Sequence, residues 1–215
     1  GMSYHSIIGN FMISLLRMTS FCCLVVGGLV SLLSGGASLA GNVSSMADLQ
    51  KHVHEVASRV TAATVALVSD GGETGGGVIV SPQGLILTAA HVVGGDEIMR
   101  VVFADGRVVK GRVLGANFTR DAAMVQIMDG GNYPHVELGE SDGLHVGDFV
   151  VALGHSKGFD PERRAPIRMG RLCTDGKQRF LISECTLIGG DSGGPLFDLS
   201  GKLVGIHSSI GPMLK

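Results

Sequence analysis

The order of hydrophobic and polar positions predicts one helix followed by a series of short strands. Over residues 46–59, Leu49, Val53 and Val56 recur at helical spacing, so we expect a short amphipathic helix there. After this segment, short runs rich in β-branched residues alternate with Gly, Pro or Asp turns. The first half of the chain is predicted to hold six strands, at 65–68, 77–80, 85–88, 99–103, 108–116 and 122–128.

A polar segment at 129–148 separates these strands from a second group. The second half is predicted to hold five strands, at 149–154, 167–174, 179–185, 193–198 and 202–209. Short strands at nearly regular intervals, with no helical pattern between them, favour antiparallel sheets closed into barrels. We therefore expect an all-β fold with a barrel at 41–130, which includes the N-terminal helix, and a second barrel at 131–215.

Residues 1–40 differ in composition from the rest and are expected to direct the protein out of the cytoplasm. They contain no acidic residue, an apolar run at 21–33, and small residues at Ser38 and Ala40. This pattern predicts a secretory signal peptide cleaved before Gly41, and hence a secreted or periplasmic protein. An uncleaved membrane anchor at 7–33 is the alternative. Gly1, which precedes Met2, is taken as an artificial addition.

The composition describes a globular protein with little affinity for polyanions. Of 215 residues, 45% are hydrophobic and 17% are charged, which is enough apolar material to form a core. Glycine occurs 34 times and aromatic residues make up only 5%, a balance that favours tight turns. The formal net charge of −2 provides no basic field for phosphates, so nucleic acid is excluded as an expected partner.

The four cysteines do not predict a disulfide framework. Cys22 and Cys23 lie in the apolar leader. Cys173 and Cys185 lie on either side of a hairpin expected around residues 175–176, in which they would be offset by about four residues, or roughly 13 Å, beyond the reach of a disulfide. Two buried free thiols are expected.

Three segments carry residues that could perform nucleophilic catalysis together. They are 87–93, which contains His91; 119–125, which contains Asp121; and 189–196, which contains Ser192. A hydroxyl is a weak nucleophile and needs an imidazole to accept its proton, and the imidazole needs a carboxylate to fix its tautomer. Glycines around Ser192 would let the N–H groups of Gly190 and Ser192 point at one spot and form an oxyanion hole.

In this order, the segments TAAHVV, DAAMV and GDSGGPL resemble those of trypsin-fold serine endopeptidases, and particularly the HtrA (Deg) family of secreted quality-control proteases. The resemblance covers about residues 60–211. It implies that Ser192 is the nucleophile, His91 the general base and acid, and Asp121 the orienting carboxylate. It also implies an acyl-enzyme mechanism, with unfolded or damaged proteins as substrates and no cofactor or metal.

The same resemblance suggests how a substrate would be held. The backbone of Ser208, Ser209 and Ile210 would pair with the peptide as an added strand. Thr186 stands six residues before the serine, where trypsin-like enzymes carry Asp at the pocket floor. We therefore expect cleavage after small or medium aliphatic residues, in a pocket lined by Thr186, Ile188 and Ile210.

Two departures from the HtrA pattern bear on the expectations. Asp191 precedes the serine where this family usually has Asn; in digestive enzymes of this fold that Asp binds a newly freed amino terminus, yet no IVGG-like activation sequence follows the leader. We expect Asp191 to pair with Arg168 or Arg171 instead, and Asp191→Asn to cost little activity. The second barrel also lacks its sixth strand, so a truncated chain is expected, with a possible peptide-binding PDZ module beyond Lys215. Homo-oligomerisation, as a trimer, is expected by family analogy.

The sequence also bears on four other functions: a silent trypsin-fold module, an esterase, a metal site and a phosphate site. A catalytically silent trypsin-fold chaperone or peptide-binding module remains the alternative. An α/β-hydrolase esterase is excluded, because that fold places its acid and histidine after the serine. A metal site is disfavoured because His52 and His54 would diverge on a helix, and the glycines at 75–77 are predicted to form a turn rather than a phosphate cradle.

Overall fold

The computed structural model describes residues 45–155, 158, 160, 165–178 and 180–208. The first element is helix α1, Met46–Val60, which matches the predicted helix. It begins at Ser45, whose Oγ accepts a hydrogen bond of 3.1 Å from the N–H of Asp48, a favourable N-terminal cap. Its buried face comprises Leu49, Val56, Ala57 and Val60. A 3₁₀ turn, Thr61–Ala63, joins it to the first strand.

Six antiparallel strands form a closed barrel in the order β1-β2-β3-β6-β5-β4, as predicted for the first half. Closure removes the exposed edges that an open sheet would present. The sequence pattern did not predict a short helix, α2, Ala90–Val93, directly after the third strand. The strands are β1 Thr64–Val68, β2 Thr74–Ile79, β3 Leu85–Thr88, β4 Ile98–Val102, β5 Val108–Asn117 and β6 Ala122–Ile127.

The second group of strands forms a four-stranded antiparallel sheet, which is a partial barrel. Its order is β10-β9-β7-β8. The strands are β7 Phe149–Leu153, β8 Ile167–Arg171, β9 Pro195–Asp198 and β10 Leu203–Ile206.

A strand was expected at 179–185, and this prediction is wrong for the described residues 180–185. These residues make only an isolated antiparallel bridge, Ser183 to Leu172. Two further bonds flank it: Cys173 N–H to the Ile182 carbonyl (2.7 Å) and Glu184 N–H to the Arg171 carbonyl (2.9 Å). The pairing is antiparallel, as in the predicted hairpin, but it stops after three residues, so the local β pattern is not extended into a strand.

The barrel and the second sheet share one hydrophobic core, and β7 shows how. Its residues alternate between two faces, as in any strand. Val151 and Leu153 pack into the main core with Phe197 of β9 and the barrel residues. Val150 and Ala152 point to the opposite side, into a smaller cluster that includes Cys185. The barrel and the second sheet are therefore packed directly against each other.

The two cysteines in the described part are unpaired, as expected, but only Cys185 is buried, and burial raises the pKa of its thiol. The expectation that Cys173 is buried is wrong, because it lies on the exposed extension of β8 beyond the second core. The predicted signal peptide and the alternative anchor at 7–33 lie outside the described residues. Within the described ranges, no helix combines the length and apolar character needed to cross a bilayer.

Candidate active site

His91 and Asp121 are brought together by α2 and the turn that precedes β6. His91 Nδ1 lies 2.8 Å from Oδ2 and 3.0 Å from Oδ1 of Asp121. The backbone N–H of His91 also donates to Oδ1, at 3.0 Å. Asp121 has a φ of 48°, the one positive value among the described non-glycine residues. Such a backbone conformation costs roughly 1–3 kcal/mol and is found preferentially at functional sites.

The carboxylate of Asp121 is kept ionised by its hydrogen bonds. Partial burial alone would raise its pKa, but hydrogen bonds from Ser208 and from the backbone and ring of His91 outweigh that effect and lower it. Ser208 Oγ donates to Oδ2 at 2.6 Å, a short, charge-assisted bond. An ionised Asp121 fixes the His91 tautomer with the proton on Nδ1 and leaves Nε2 free to accept one.

In the loop around Ser192, two backbone N–H groups are not used by the loop's own backbone hydrogen bonds. The N–H groups of Asp191, Gly193 and Gly194 donate to the carbonyls of Ile188 (3.0 Å), His207 (2.7 Å) and Asp191 (2.9 Å), respectively. Within the described chain, those of Gly190 and Ser192 make no such bond. Gly190 adopts a φ of 94°, which glycine tolerates. These are the two donors predicted to form the oxyanion hole.

Glycines of β2 bring the barrel against this loop. The prediction of a turn at 75–77 is wrong, because all three glycines lie within β2. A Cβ on Gly76 would lie 2.8 Å from the backbone of Gly194, and the Gly76 N–H donates to the Ser192 carbonyl at 2.6 Å. Consecutive glycines within a strand therefore mark a close approach of two backbones here.

Two cavities meet at Ser192. The larger, about 180 Å³, is lined by both His91 and Ser192. Its remaining lining residues are Glu73, Thr74 and Val92. The smaller, about 30 Å³, is lined by Leu187, Ile188, Gly189, Asp191, Ser192, His207 and Ser208.

Of the described residues that were predicted to bind substrate, some line a cavity and one does not. Ile188 lines the smaller cavity, whereas Thr186 is exposed and is not part of either lining. Ser208 lines the smaller cavity and, in addition, bonds Asp121 through its side chain, a role that sequence reasoning missed. Ser209 and Ile210 lie outside the described residues. In the sequence, the signal for the bond from Ser208 to Asp121 was the hydroxyl side chain at position 208.

His207 was also missed. Its side chain is buried and lines the smaller cavity. Burial lowers its pKa to about 4; nearby Asp191 raises it and nearby Arg168 lowers it further. His207 is therefore neutral at neutral pH. Its Nε2 has no hydrogen-bond partner in the described part of the chain.

Comparison with known proteins identifies the family to which this arrangement belongs. The profile of the trypsin-like peptidase domain matches residues 75–206, which include His91, Asp121 and Ser192. The chain belongs to the trypsin-like peptidase family. The resemblance to HtrA-type serine proteases, inferred from three short segments, is thereby confirmed at the level of family.

Relatives of this trypsin-like peptidase domain carry the names of HtrA-type proteases. It is 35% identical over 144 residues to HhoB of Synechocystis sp., named as a serine protease, with 64% of this chain and 34% of that protein covered. It is 38% identical over 139 residues to a DegP-like periplasmic serine endoprotease of Pseudomonas savastanoi, covering 63% and 29%. With the periplasmic serine endoprotease DegP of Salmonella typhimurium the identity is 33% over 141 residues, covering 63% and 30%. The chain thus matches about a third of the length of these relatives.

Proposed function

We propose that this trypsin-like peptidase domain is a serine endopeptidase that hydrolyses unfolded or damaged polypeptides through an acyl-enzyme. The supporting observation is that the His91–Asp121 pair and Ser192 border one cavity. A binding module would not need a histidine held at three points by a carboxylate, beside a cavity that the histidine shares with a serine. This arrangement favours the peptidase over the catalytically silent chaperone.

In the proposed reaction, Ser192 Oγ attacks the scissile carbonyl carbon while its proton passes to His91 Nε2. Asp121 stabilises the resulting imidazolium through Nδ1. The N–H groups of Gly190 and Ser192 bind the oxyanion of the tetrahedral intermediate. The C–N bond then breaks as His91 returns the proton to the leaving amine, and water hydrolyses the ester of Ser192 by the same steps in reverse.

The smaller cavity is proposed to receive the side chain that precedes the cleaved bond. A volume of about 30 Å³ holds only a small group, so alanine or valine side chains fit better than large ones. Asp191 is the acid in the described lining, but it forms an ion pair with Arg168 at 3.1 Å and so does not offer an uncompensated charge to lysine or arginine. These features support the expected preference for small or medium aliphatic residues.

The cellular role is proposed by analogy with the relatives. Two of them are named periplasmic serine endoproteases, and the leader at 1–40 has the composition of a secretory signal. We therefore place the protein in the periplasm or outside the cell, where it would act in protein quality control. Oligomerisation as a trimer and a PDZ module in the full protein are part of the same proposal.

The experiment that tests the proposed function measures hydrolysis of casein, an unfolded protein, by the purified chain and by Ser192→Ala. We expect the substitution to reduce turnover by on the order of 10⁶-fold, because the nucleophile is lost. Equal hydrolysis by both proteins would contradict the assignment of Ser192. Absence of both peptide hydrolysis and Ser192 labelling by a fluorophosphonate would favour the silent chaperone.

A further inference from the structure

A largely buried ion pair involves the residue that precedes the proposed nucleophile. Asp191 precedes Ser192, and its side chain is only 1% exposed. Arg168 lies on β8, opposite Ala152 of β7, with its side chain 15% exposed. Its Nη1 is 3.1 Å from Asp191 Oδ2. On the other side, a Cβ on Gly154 would lie 2.6 Å from Asp191 Oδ1, so the backbone that follows β7 packs closely against the carboxylate.

Asp191 also ties together the two ends of the turn that contains the proposed oxyanion hole. Its Oδ2 accepts a hydrogen bond of 2.9 Å from the Ile188 N–H, and its own N–H donates to the Ile188 carbonyl at 3.0 Å. Its carbonyl accepts from the Gly194 N–H at 2.9 Å. Gly190 and Ser192 lie between these fixed points. The Asp191 side chain is therefore one of the contacts that hold the turn on either side of these two N–H groups.

The charge of Asp191 requires compensation inside the protein. Removing one partner of a buried pair is strongly destabilising because it leaves a charge without compensation. His207 is close to both groups, but it is neutral at neutral pH and supplies no positive charge. The guanidinium of Arg168 fills that role. The two partners differ, since Arg168 keeps some access to solvent and Asp191 has almost none.

We propose that Arg168 is a positioning residue that holds the segment from Gly190 to Ser192 in its oxyanion-binding conformation by pairing with Asp191. The inference rests on the proposed peptidase function. Because Arg168 belongs to the folded second sheet, the pairing is a permanent part of the fold. The domain thus needs no newly cleaved amino terminus to order this loop, in contrast to the digestive enzymes of the same fold.

The test is a double-mutant cycle on the full chain, with a fluorogenic peptide cleaved by the unmodified protein as substrate. The variants are Arg168→Met, Asp191→Asn, the double variant and Arg168→Lys. Arg171→Met is the matched control, since Arg171 lies on the same strand but is exposed and stacks on Phe149 with 4.6 Å between its guanidinium carbon and the ring centre. For each variant, kcat, KM, the rate of Ser192 labelling by a fluorophosphonate and the melting temperature are measured.

Arg168→Met should lower kcat and the labelling rate by about 10²-fold, with KM changed less than about threefold, since one or both oxyanion donors move. Asp191→Asn should lower kcat by less than about tenfold, because the Arg168 guanidinium that is left without its partner has some contact with solvent. The double variant should recover most of the activity that Arg168→Met loses, because neither charge remains. Arg168→Lys should keep an intermediate rate, and Arg171→Met should equal the unmodified protein.

A folded Arg168→Met variant with unchanged kcat would overturn the inference, and so would a folded double variant as inactive as Arg168→Met. If Arg168→Met does not fold, recovery of a folded, active double variant supports the inference, and a folded but inactive one contradicts it. Absence of any Ser192-dependent hydrolysis in the unmodified chain would instead overturn the proposed function, and the inference with it.

Discussion

Asp121 holds His91 at three points, through both ring contacts to Nδ1 and the bond from the backbone N–H. Its carboxylate thus fixes the position of the residue as well as the tautomer of the ring. The positive φ of Asp121 is an unfavourable backbone conformation, and it directs the carboxylate toward α2.

Replacing Asp121 with Asn should lower kcat by about 10⁴-fold while leaving the fold intact. An amide cannot fix the proton on Nδ1, so His91 is held in the wrong tautomer to accept the proton from Ser192. Steady-state hydrolysis of a fluorogenic peptide measures the loss. Ser208→Ala is the matched control: it removes one hydrogen bond to Asp121 but not its charge, so a loss of only about tenfold is expected. Equal losses in the two variants would contradict this account of Asp121.

The stability of the domain should fall between pH 6.5 and about 4 because of His207. The folded pKa of about 4 lies below the ordinary value of 6.5, so the unfolded state binds the proton first as pH falls. The stability that comes from keeping His207 neutral in the folded state is complete above pH 6.5 and lost by about pH 4. That interval, at about 1.4 kcal/mol per unit, corresponds to about 3 kcal/mol.

Urea unfolding at several pH values tests this expectation. His207→Gln should flatten the pH dependence over that interval, whereas His145→Gln, an exposed histidine, should leave it as in the unmodified protein. Asp191 and Arg168 are the charged groups that face His207, and both stay in place in these variants. An unchanged pH dependence in His207→Gln would assign the effect to other groups.

Gly193→Ala should destabilise the domain by on the order of 3 kcal/mol and abolish activity. Gly193 has a φ of 79°, and a Cβ there would collide with Thr88 Oγ1 and the Gly76 carbonyl. Gly72→Ala is the control, since Gly72 has a similar φ of 85° but nothing within 4 Å of its Cβ position. It should cost about 1–2 kcal/mol from the backbone conformation alone. Thermal or urea unfolding separates the two, and equal losses would mean that the contact with β2 is unimportant.

Cleavage of a peptide library should occur mainly after small or medium aliphatic residues. The reasons are the limited volume of the smaller cavity and the compensation of Asp191 by Arg168. Mass spectrometry of the products gives the residue before each cut. A profile dominated by lysine or arginine would show that Asp191 is available to the substrate and would refute this prediction.

The barrel strands could be predicted because each is a local pattern of apolar residues bounded by turn residues. The predicted runs at 85–88 and 108–116, for example, match β3 Leu85–Thr88 and β5 Val108–Asn117 closely. The three reactive residues were recognisable because their types and order suit one mechanism. The structure brings His91 and Asp121 into hydrogen-bond contact and places His91 and Ser192 on one cavity.

The features that sequence reasoning missed depend on contacts between distant segments. The glycines of β2 resemble a turn locally, and only the approach of the Ser192 loop explains them as strand residues. The bond from Ser208 to Asp121 spans 87 positions, and the burial of His207 depends on residues from other elements. Segment 180–185 carries a β pattern, yet its pairing with the end of β8 is too short to form a strand.

The central claim is that His91 activates Ser192, and the rate of Ser192 phosphonylation by a fluorophosphonate tests it most directly. The reaction is followed with the unmodified chain and with His91→Ala, and the modified residue is located by mass spectrometry. The account predicts that Ser192 alone is labelled and that His91→Ala slows labelling by at least about 10³-fold, since general-base catalysis is lost. Labelling of Ser192 at the same rate in both proteins would contradict it.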